Sequence, residues 1–394
     1  MRPLWPLAEL PPDQETMRRY IEAVVASGNL TMGDRVREFE AAFARLVGSR
    51  YAVMVNSGSS ANLLAMAALR YHPRWPLRRG DEAIVPAIAW PTTYAPLEQH
   101  GLRLRVVDVD PDTLNASIVE VRKAWTKHTR LLVGVSILGH PAALDEMLEL
   151  AKLRDVWFLE DNCESLGASV AGRQAGTFGN IGTFSTFFSH HLSTVEGGML
   201  VTDDPLLRDL AVCLRAHGWA RDLPGNSRLL ERTVPQTDDF PSAYRFLLPG
   251  YNLRPTEIQA AIGLSQLATL TAAQQVRRQN AWLFNELKLP HFHKQQSQNP
   301  NATAVAVPYG FVLIAKSEAH RYVALKALSG VGIEHRAVTG GCFTEHEAAR
   351  HYAYRVIGGL PNARRVHRCG FFVGNLARDL RAHMDLLETT LNSL

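Results

Sequence analysis

The chain has 394 residues, of which 46% are hydrophobic and 20% charged, and a formal net charge of +4. That length supports a large core and two domains, while so small a positive excess gives no case for nucleic-acid binding. No apolar run approaches membrane-spanning length, and the start (Met1 to Pro6) lacks the sustained apolar stretch of a signal peptide, so the expectation is a cytoplasmic protein with no membrane partner.

Residues 13–27 alternate polar and apolar positions at helical spacing, and a second helix is expected over 35–46 after the loop 29–34. Residues 51–56 form a compact apolar strand that runs through Ser57, Gly58, Ser59 and Ser60 into a helix expected over 63–70. Strand, small-residue turn and helix N-terminus together make an anion cradle, because unpaired amides and the helix dipole face the turn. Gly58 lets the backbone approach closely, and Ser59 and Ser60 add hydroxyls, although many α/β turns look alike. Residues 82–86 are the next strand. Trp90 falls just past its C-terminal end, where crevices open in α/β sheets; it either stacks on a ligand or fills the interior.

Strands over 104–108 and 130–136 flank a helix over 117–127, and an amphipathic helix spans 144–153. Strands and helices alternating at this length imply a mostly parallel sheet with covered faces. Residues 156–161 are an apolar strand ending in Glu160 and Asp161, and an acid at the end of a buried strand is costly without a partner. From Thr183 another apolar, aromatic-rich strand breaks into a polar segment and the turn Gly197-Gly198. His190 and His191 sit at the break, either presented to a cleft or bonded to backbone.

A helix then ends at Arg215. His217 beside Gly218 suits a substrate contact or a helix C-cap equally. Residues 224–244 read as a polar loop near the site. Gly250-Tyr251-Asn252-Leu253-Arg254 leads to Pro255, placed in the first turn of a helix reaching residue 287, about 50 Å long. Residues 291–304 read as a surface loop or hairpin. A strand (310–315), helix (318–328), strand (332–336) and closing helix (378–394) indicate a smaller α/β domain. The expected division is 1–265 for the large domain and 266–394 for the bridging helix and small domain. Arg336, Arg364, Arg365 and Arg368 are either diphosphate ligands or solvated surface groups.

Taken together, Gly58-Ser59-Ser60, Glu160-Asp161 with Glu164, Ser185 to Gly198 and Gly250 to Ala261 resemble the sugar aminotransferases of the DegT type, which use pyridoxal 5′-phosphate (PLP). The resemblance runs from about residue 14 to the C-terminus. It implies an α/β chain of PLP fold type I, aspartate aminotransferase-like, with a mostly parallel central sheet and a smaller C-terminal α/β domain. It places Gly58, Ser59, Ser60 and Ser185 at the cofactor phosphate and Trp90 on the pyridine ring. Asp161 falls at the ring nitrogen, where a carboxylate keeps the ring an electron sink, and Glu164 near the ring hydroxyl. Asn252 would reach the phosphate of a neighbouring subunit, implying a homodimer with shared active sites. His217, Arg254 and Arg336 are the substrate candidates.

One departure changes the chemistry implied. Counting back from Glu196-Gly197-Gly198, the family's imine-forming lysine falls at His190, and the asparagine after it at His191. Imidazole forms no stable imine, but it moves protons near neutral pH. A branch of the family with the same exchange deoxygenates sugars. Lysine is scarce, and none of Lys123, Lys127, Lys152, Lys288, Lys294, Lys316 and Lys326 lies in a cofactor motif. The resemblance therefore implies pyridoxamine phosphate (PMP) held without a covalent anchor and L-glutamate as amino donor. His190 would be acid and base in the loss of the C3 hydroxyl from a nucleotide-linked 4-keto-6-deoxy sugar. A slow aminotransferase and a catalytically idle PLP-binding homologue remain as alternatives. The four cysteines, Cys163, Cys213, Cys342 and Cys369, are too scattered for a zinc site, a disulfide framework or an iron–sulfur cluster.

Overall fold

Strands β1 (Tyr51–Val55), β2 (Glu82–Pro86), β3 (Arg103–Val107), β4 (Thr129–Val135) and β5 (Trp157–Asp161) enter one eight-stranded sheet. A small hairpin, β6 (Ser169–Val170) and β7 (Arg173–Gln174), follows, and then β8 (Ile181–Ser185) and β9 (Gly198–Thr202). The computed structural model describes residues 3–11, 13–231, 244–296 and 303–394. Most of the polar loop expected over 224–244, and residues 297–302 of the loop expected over 291–304, lie outside the described residues.

The smaller sheet contains β10 (Phe292–Lys294), β11 (Gly310–Ala315), β12 (His335–Arg336) and β14 (Gly370–Gly374). Strand β13 (Tyr354–Val356) instead joins the large sheet, whose order is β1-β9-β8-β5-β4-β2-β3-β13. β9 runs antiparallel to both neighbours, and the other neighbouring pairs are parallel. Parallel strands need crossovers, and those crossovers cover both faces. Accordingly β5, β8 and β9 are buried along their whole length. This is the mostly parallel α/β sheet with a smaller C-terminal unit that the sequence led us to expect.

Helices α1 (Gln14–Ser27) and α2 (Asp34–Val47) lie close to the predicted ranges. Helix α3 (Gly58–Tyr71) starts five residues earlier than expected, because Ser57 is its N-cap and accepts from the Ser60 amide at 3.0 Å. The helix expected over 117–127 is shorter (Ile118–Lys123), and the strand expected over 332–336 shrinks to His335–Arg336. The long helix Glu257–Glu286 is closed by a capping box between Thr256 and Gln259, so Pro255 precedes the cap instead of sitting in the first turn. Its first residue also serves another helix. The buried Glu257 carboxylate accepts from the amides of Gly33, Arg35 and Val36 at 2.8 to 2.9 Å, and so caps α2 from outside.

The chain crosses the division expected near residue 265 twice. Trp5 is fully buried in the smaller core and donates from Nε1 to Gly374 O at 2.8 Å. In the other direction, Tyr354–Val356 pairs in parallel with β3 of the large sheet.

Candidate active site

The C-terminal ends of β5 and β8, the N-terminus of α3 and the start of helix α4 (Pro91–Gln99) surround a cleft of about 470 Å³. That is within the range of ligand pockets, and its place at the carboxyl ends of parallel strands is the usual one. Gly58, Ser59, Trp90, Asp161, Glu164, Ser185, His190 and Arg336 all line it.

The cradle at Ser57 to Ser60 is built by close approach. A Cβ on Gly58 would lie 2.6 Å from the Cβ of Ser185 and 3.0 Å from Cys163 Sγ. A Cβ on Gly198 would lie 2.4 Å from the backbone of Ser57. Both glycines let β8 and β9 press the turn into shape. Ser59 Oγ bonds Thr92 Oγ1 at 2.7 Å. Ser60 does not line the cleft, because its hydroxyl donates to Asn56 Oδ1 at 2.6 Å and its amide caps back to Ser57. Gly58→Ala is expected to cost about 1–3 kcal/mol by overpacking and to weaken retention of a phosphorylated ligand, measured by urea unfolding and by dialysis of bound PLP.

Asp161 is 4% exposed, and its Oδ2 accepts from Asn62 Nδ2 at 2.8 Å and Thr93 Oγ1 at 2.6 Å. Asn62 is itself held by Thr183 Oγ1 at 2.6 Å. Neither Asn62 nor Thr93 was singled out from the sequence. The signal for Asn62 was an asparagine inside an otherwise apolar helix, where it weakens the helix unless it has a partner.

Glu164 accepts from the Leu138 amide at 2.9 Å and from Thr339 Oγ1 at 3.1 Å, and Tyr309 bonds it as well. Both Leu138 (φ 50°) and Thr339 (φ 45°) are held in the left-handed region, which costs non-glycine residues energy and collects at functional sites. Burial pushes the Glu164 carboxyl up to about 7, and that of Glu160 likewise. The folded chain therefore prefers both carboxyls protonated. Their contribution to stability is complete below the ordinary value of 4.5 and is lost as pH rises toward 7. Glu164→Gln should remove part of the fall in melting temperature across that window, Glu160 supplying the rest, as read by calorimetry from pH 4.5 to 7.5.

His190 ends the segment after β8, with its ring centroid 5.1 Å from that of Tyr309 and 5.9 Å from that of Phe187. Its Nδ1 is buried and has no protein partner among the described residues. Burial draws the imidazole down to about 4, so the ring is neutral and able to accept a proton throughout the physiological range. His191 is bonded to backbone instead: it is 7% exposed and its Nε2 meets Val307 O at 2.6 Å. No lysine lines the cleft, and all seven lie in described segments away from it.

Trp90 is 56% exposed at the rim and is not the interior filler that was the alternative reading. Asn252 and His217 lie exposed on the surface outside this cleft, and Arg254 bonds Asn252 Oδ1 at 3.1 Å, so the chain does not bring these three to its own site. Of the arginines, Arg336 lines the cleft, whereas Arg364 and Arg368 pair with Glu345.

The sequence pattern of the DegT/DnrJ/EryC1/StrS aminotransferases matches residues 11–373. The chain belongs to that family. Among its relatives is the GDP-4-keto-6-deoxy-D-mannose 3-dehydratase of Yersinia pseudotuberculosis, 41% identical over 95% of each chain. A solved structure of the Escherichia coli GDP-4-keto-6-deoxy-D-mannose-3-dehydratase with bound hydrated PLP superposes at a TM-score of 0.94. It is 40% identical and covers 99% of this chain and all of that one. Another structure of such a dehydratase holds a trapped PLP-glutamate geminal diamine, with a TM-score of 0.92, 40% identity, and 98% and 100% coverage. The fold is thus that of the PLP-dependent aminotransferases, type I, across essentially the whole of this family member.

Proposed function

We propose that this family member is a PLP/PMP-dependent 3-dehydratase that deoxygenates C3 of a nucleotide-linked 4-keto-6-deoxy sugar, with L-glutamate as amino donor. The observation that carries the reading is His190, a neutral imidazole in the cofactor cleft of a chain whose family keeps a lysine there, in a cleft that contains no lysine. Similarity at 41% to a 3-dehydratase along nearly the full chain supports it.

The residues present fit the cofactor. The cradle that a Cβ on Gly58 would fill suits a phosphate, with Ser59 and Ser185 beside it. Trp90 lies over the opening, and Asp161 offers a buried carboxylate, fixed by Asn62 and Thr93, for a ring nitrogen. When bound, PMP supplies an amine for the 4-keto carbon and a ring that absorbs electrons.

His190 accepts a proton on its neutral ring and then holds it where a departing hydroxyl can take it, so one imidazole serves as base and then acid. Glu164 remains protonated to about pH 7 and adds no second negative charge beside Asp161. Arg336, exposed at the mouth, is placed for a diphosphate. The acid limb of the rate profile should follow His190 and fall near pH 4 instead of the ordinary 6.5.

The cleft of one chain leaves Trp90 more than half exposed and Asn252 outside, consistent with a homodimer in which Asn252 completes the partner's site. No helix among the described residues is long and apolar enough to cross a membrane, and a cytoplasmic location is part of the proposal.

The test is incubation of pure protein with PLP, glutamate and GDP-, CDP-, dTDP- or UDP-linked 4-keto-6-deoxy sugars. Ammonia with a 3-deoxy product is the expected result. An amino sugar would make the chain an aminotransferase, and no turnover with any donor or sugar would make it an idle homologue.

A further inference from the structure

A histidine that moves protons is normally aimed by a third group bonded to its far nitrogen. His190 has no such group: its Nδ1 is buried and has no protein partner among the described residues. The backbone of Ser185 and Cys163 comes near enough to favour its charge, and two aromatic rings bound its plane. Phe187 meets it edge-on at 84°, with centroids 5.9 Å apart, but belongs to the same turn. Tyr309 arrives from far along the chain, just ahead of β11, and lies 5.1 Å from the imidazole at a tilt of 35°.

Tyr309 is 6% exposed and is fixed through its backbone and its hydroxyl. Its carbonyl accepts from the Asn375 amide at 2.8 Å, and the Pro308 carbonyl accepts from Asn375 Nδ2 at 2.7 Å, with Asn375 fully buried. The Val307 amide donates to Gly139 O at 2.9 Å, and a Cβ on that glycine would lie 2.1 Å from Val307 O. The same Val307 carbonyl accepts from His191 Nε2 at 2.6 Å. His191 also meets the Tyr309 ring edge-on, with centroids 5.6 Å apart. The second histidine of the pair therefore holds the segment that carries an aromatic ring against the first. At the other end of that ring, the hydroxyl is bonded to Glu164.

We propose that Tyr309 is the positioning residue of His190: its ring, seated by His191, Asn375 and Glu164, is the surface that keeps the imidazole turned toward the cofactor cleft. A covalently tethered lysine keeps its place through the bond, whereas a free imidazole depends on what packs against it. The terminal torsion of histidine is broad, so with Nδ1 unbonded the packing decides where the ring points. A misplacement of about 1 Å at the reacting atoms costs on the order of 10²-fold in rate. The link to turnover rests on the proposed acid–base role of His190, whereas the placement of the ring does not.

Tyr309→Phe keeps the ring and Tyr309→Leu removes it; Tyr309→Met carries the same expectations as the Leu variant should that one fail to fold. Sugar deoxygenation should fall by about 10- to 100-fold in Tyr309→Leu and stay within about threefold of wild type in Tyr309→Phe, with KM nearly unchanged in both. Added to His190→Gln, Tyr309→Leu should cost less than about twofold more, because a residue that acts through the imidazole then has nothing left to aim. Crystal structures of the PLP-loaded variants supply a readout apart from rate. The imidazole should be turned by more than about 30° from its wild-type plane in Tyr309→Leu and keep that plane in Tyr309→Phe. An imidazole unmoved in Tyr309→Leu, or an equal loss of rate with and without His190, would overturn the proposal. Absence of turnover in the wild-type protein would defeat the dehydratase reading instead, and the crystallographic comparison would still decide the role of Tyr309.

Discussion

His190→Gln is expected to lower sugar deoxygenation by about 10²- to 10⁴-fold, the range removed with a general acid–base group, while PLP remains bound. The cofactor contacts proposed at Gly58, Ser59, Trp90, Asp161 and Ser185 do not pass through the imidazole, so retention measured by equilibrium dialysis should change little. The acid limb near pH 4 should disappear from what rate survives, since burial places the imidazole there. His190→Lys is the sharper companion. It should also lose dehydration, yet anchor the cofactor covalently, visible as a shifted absorption band that borohydride bleaches while making the attachment permanent. Dehydration retained at more than a tenth of the wild-type rate in either variant would remove His190 from the mechanism.

Asp161→Asn should cost on the order of 10²- to 10³-fold in turnover, the effect of losing a preorganised electrostatic partner at a buried position. The substitution keeps the size of the side chain and leaves Thr93 and Asn62 in place, but removes the negative charge that holds a ring nitrogen protonated. Turnover should fall far more than stability, because an amide can still bond within that pocket. Steady-state rates compared with melting temperature read the two effects separately. Equal losses in both would make Asp161 a structural residue.

Much of this was legible in the sequence. Apolar runs bounded by turns announced the strands, and the alternation with helices announced a parallel sheet. The motif at Ser57 to Ser60 identified the cradle, though Ser60 is used up by Asn56 and the cap. The missing elements were short or returned from far away. Tyr354–Val356 is three residues long with both faces partly exposed, so it carries no pattern of its own and takes its strand form from β3. Helix Pro361–Cys369 buries only Ala363, Val366 and Cys369 fully, and its arginines hid that stripe. At the site, partners contributed by distant segments were invisible: Tyr309 and Thr339 meet Glu164 across more than a hundred residues, and no spacing rule reports such contacts. Asn252 and His217 pose the converse case: both motifs are plain to read, yet the chain leaves both side chains exposed outside the cleft.

The path of Trp5 has a consequence for biosynthesis. Its indole closes a core whose other walls, Phe371, Val373 and Leu387, are made long after it. Trp5 therefore leaves the ribosome well before its partners and is among the last residues to settle. During translation the large lobe can form around its sheet, but the strap around Trp5 must wait, unpaired, until β14 and the helix Arg381–Asn392 appear. Newly made chains should stay vulnerable to proteases around Trp5 until that helix has been made.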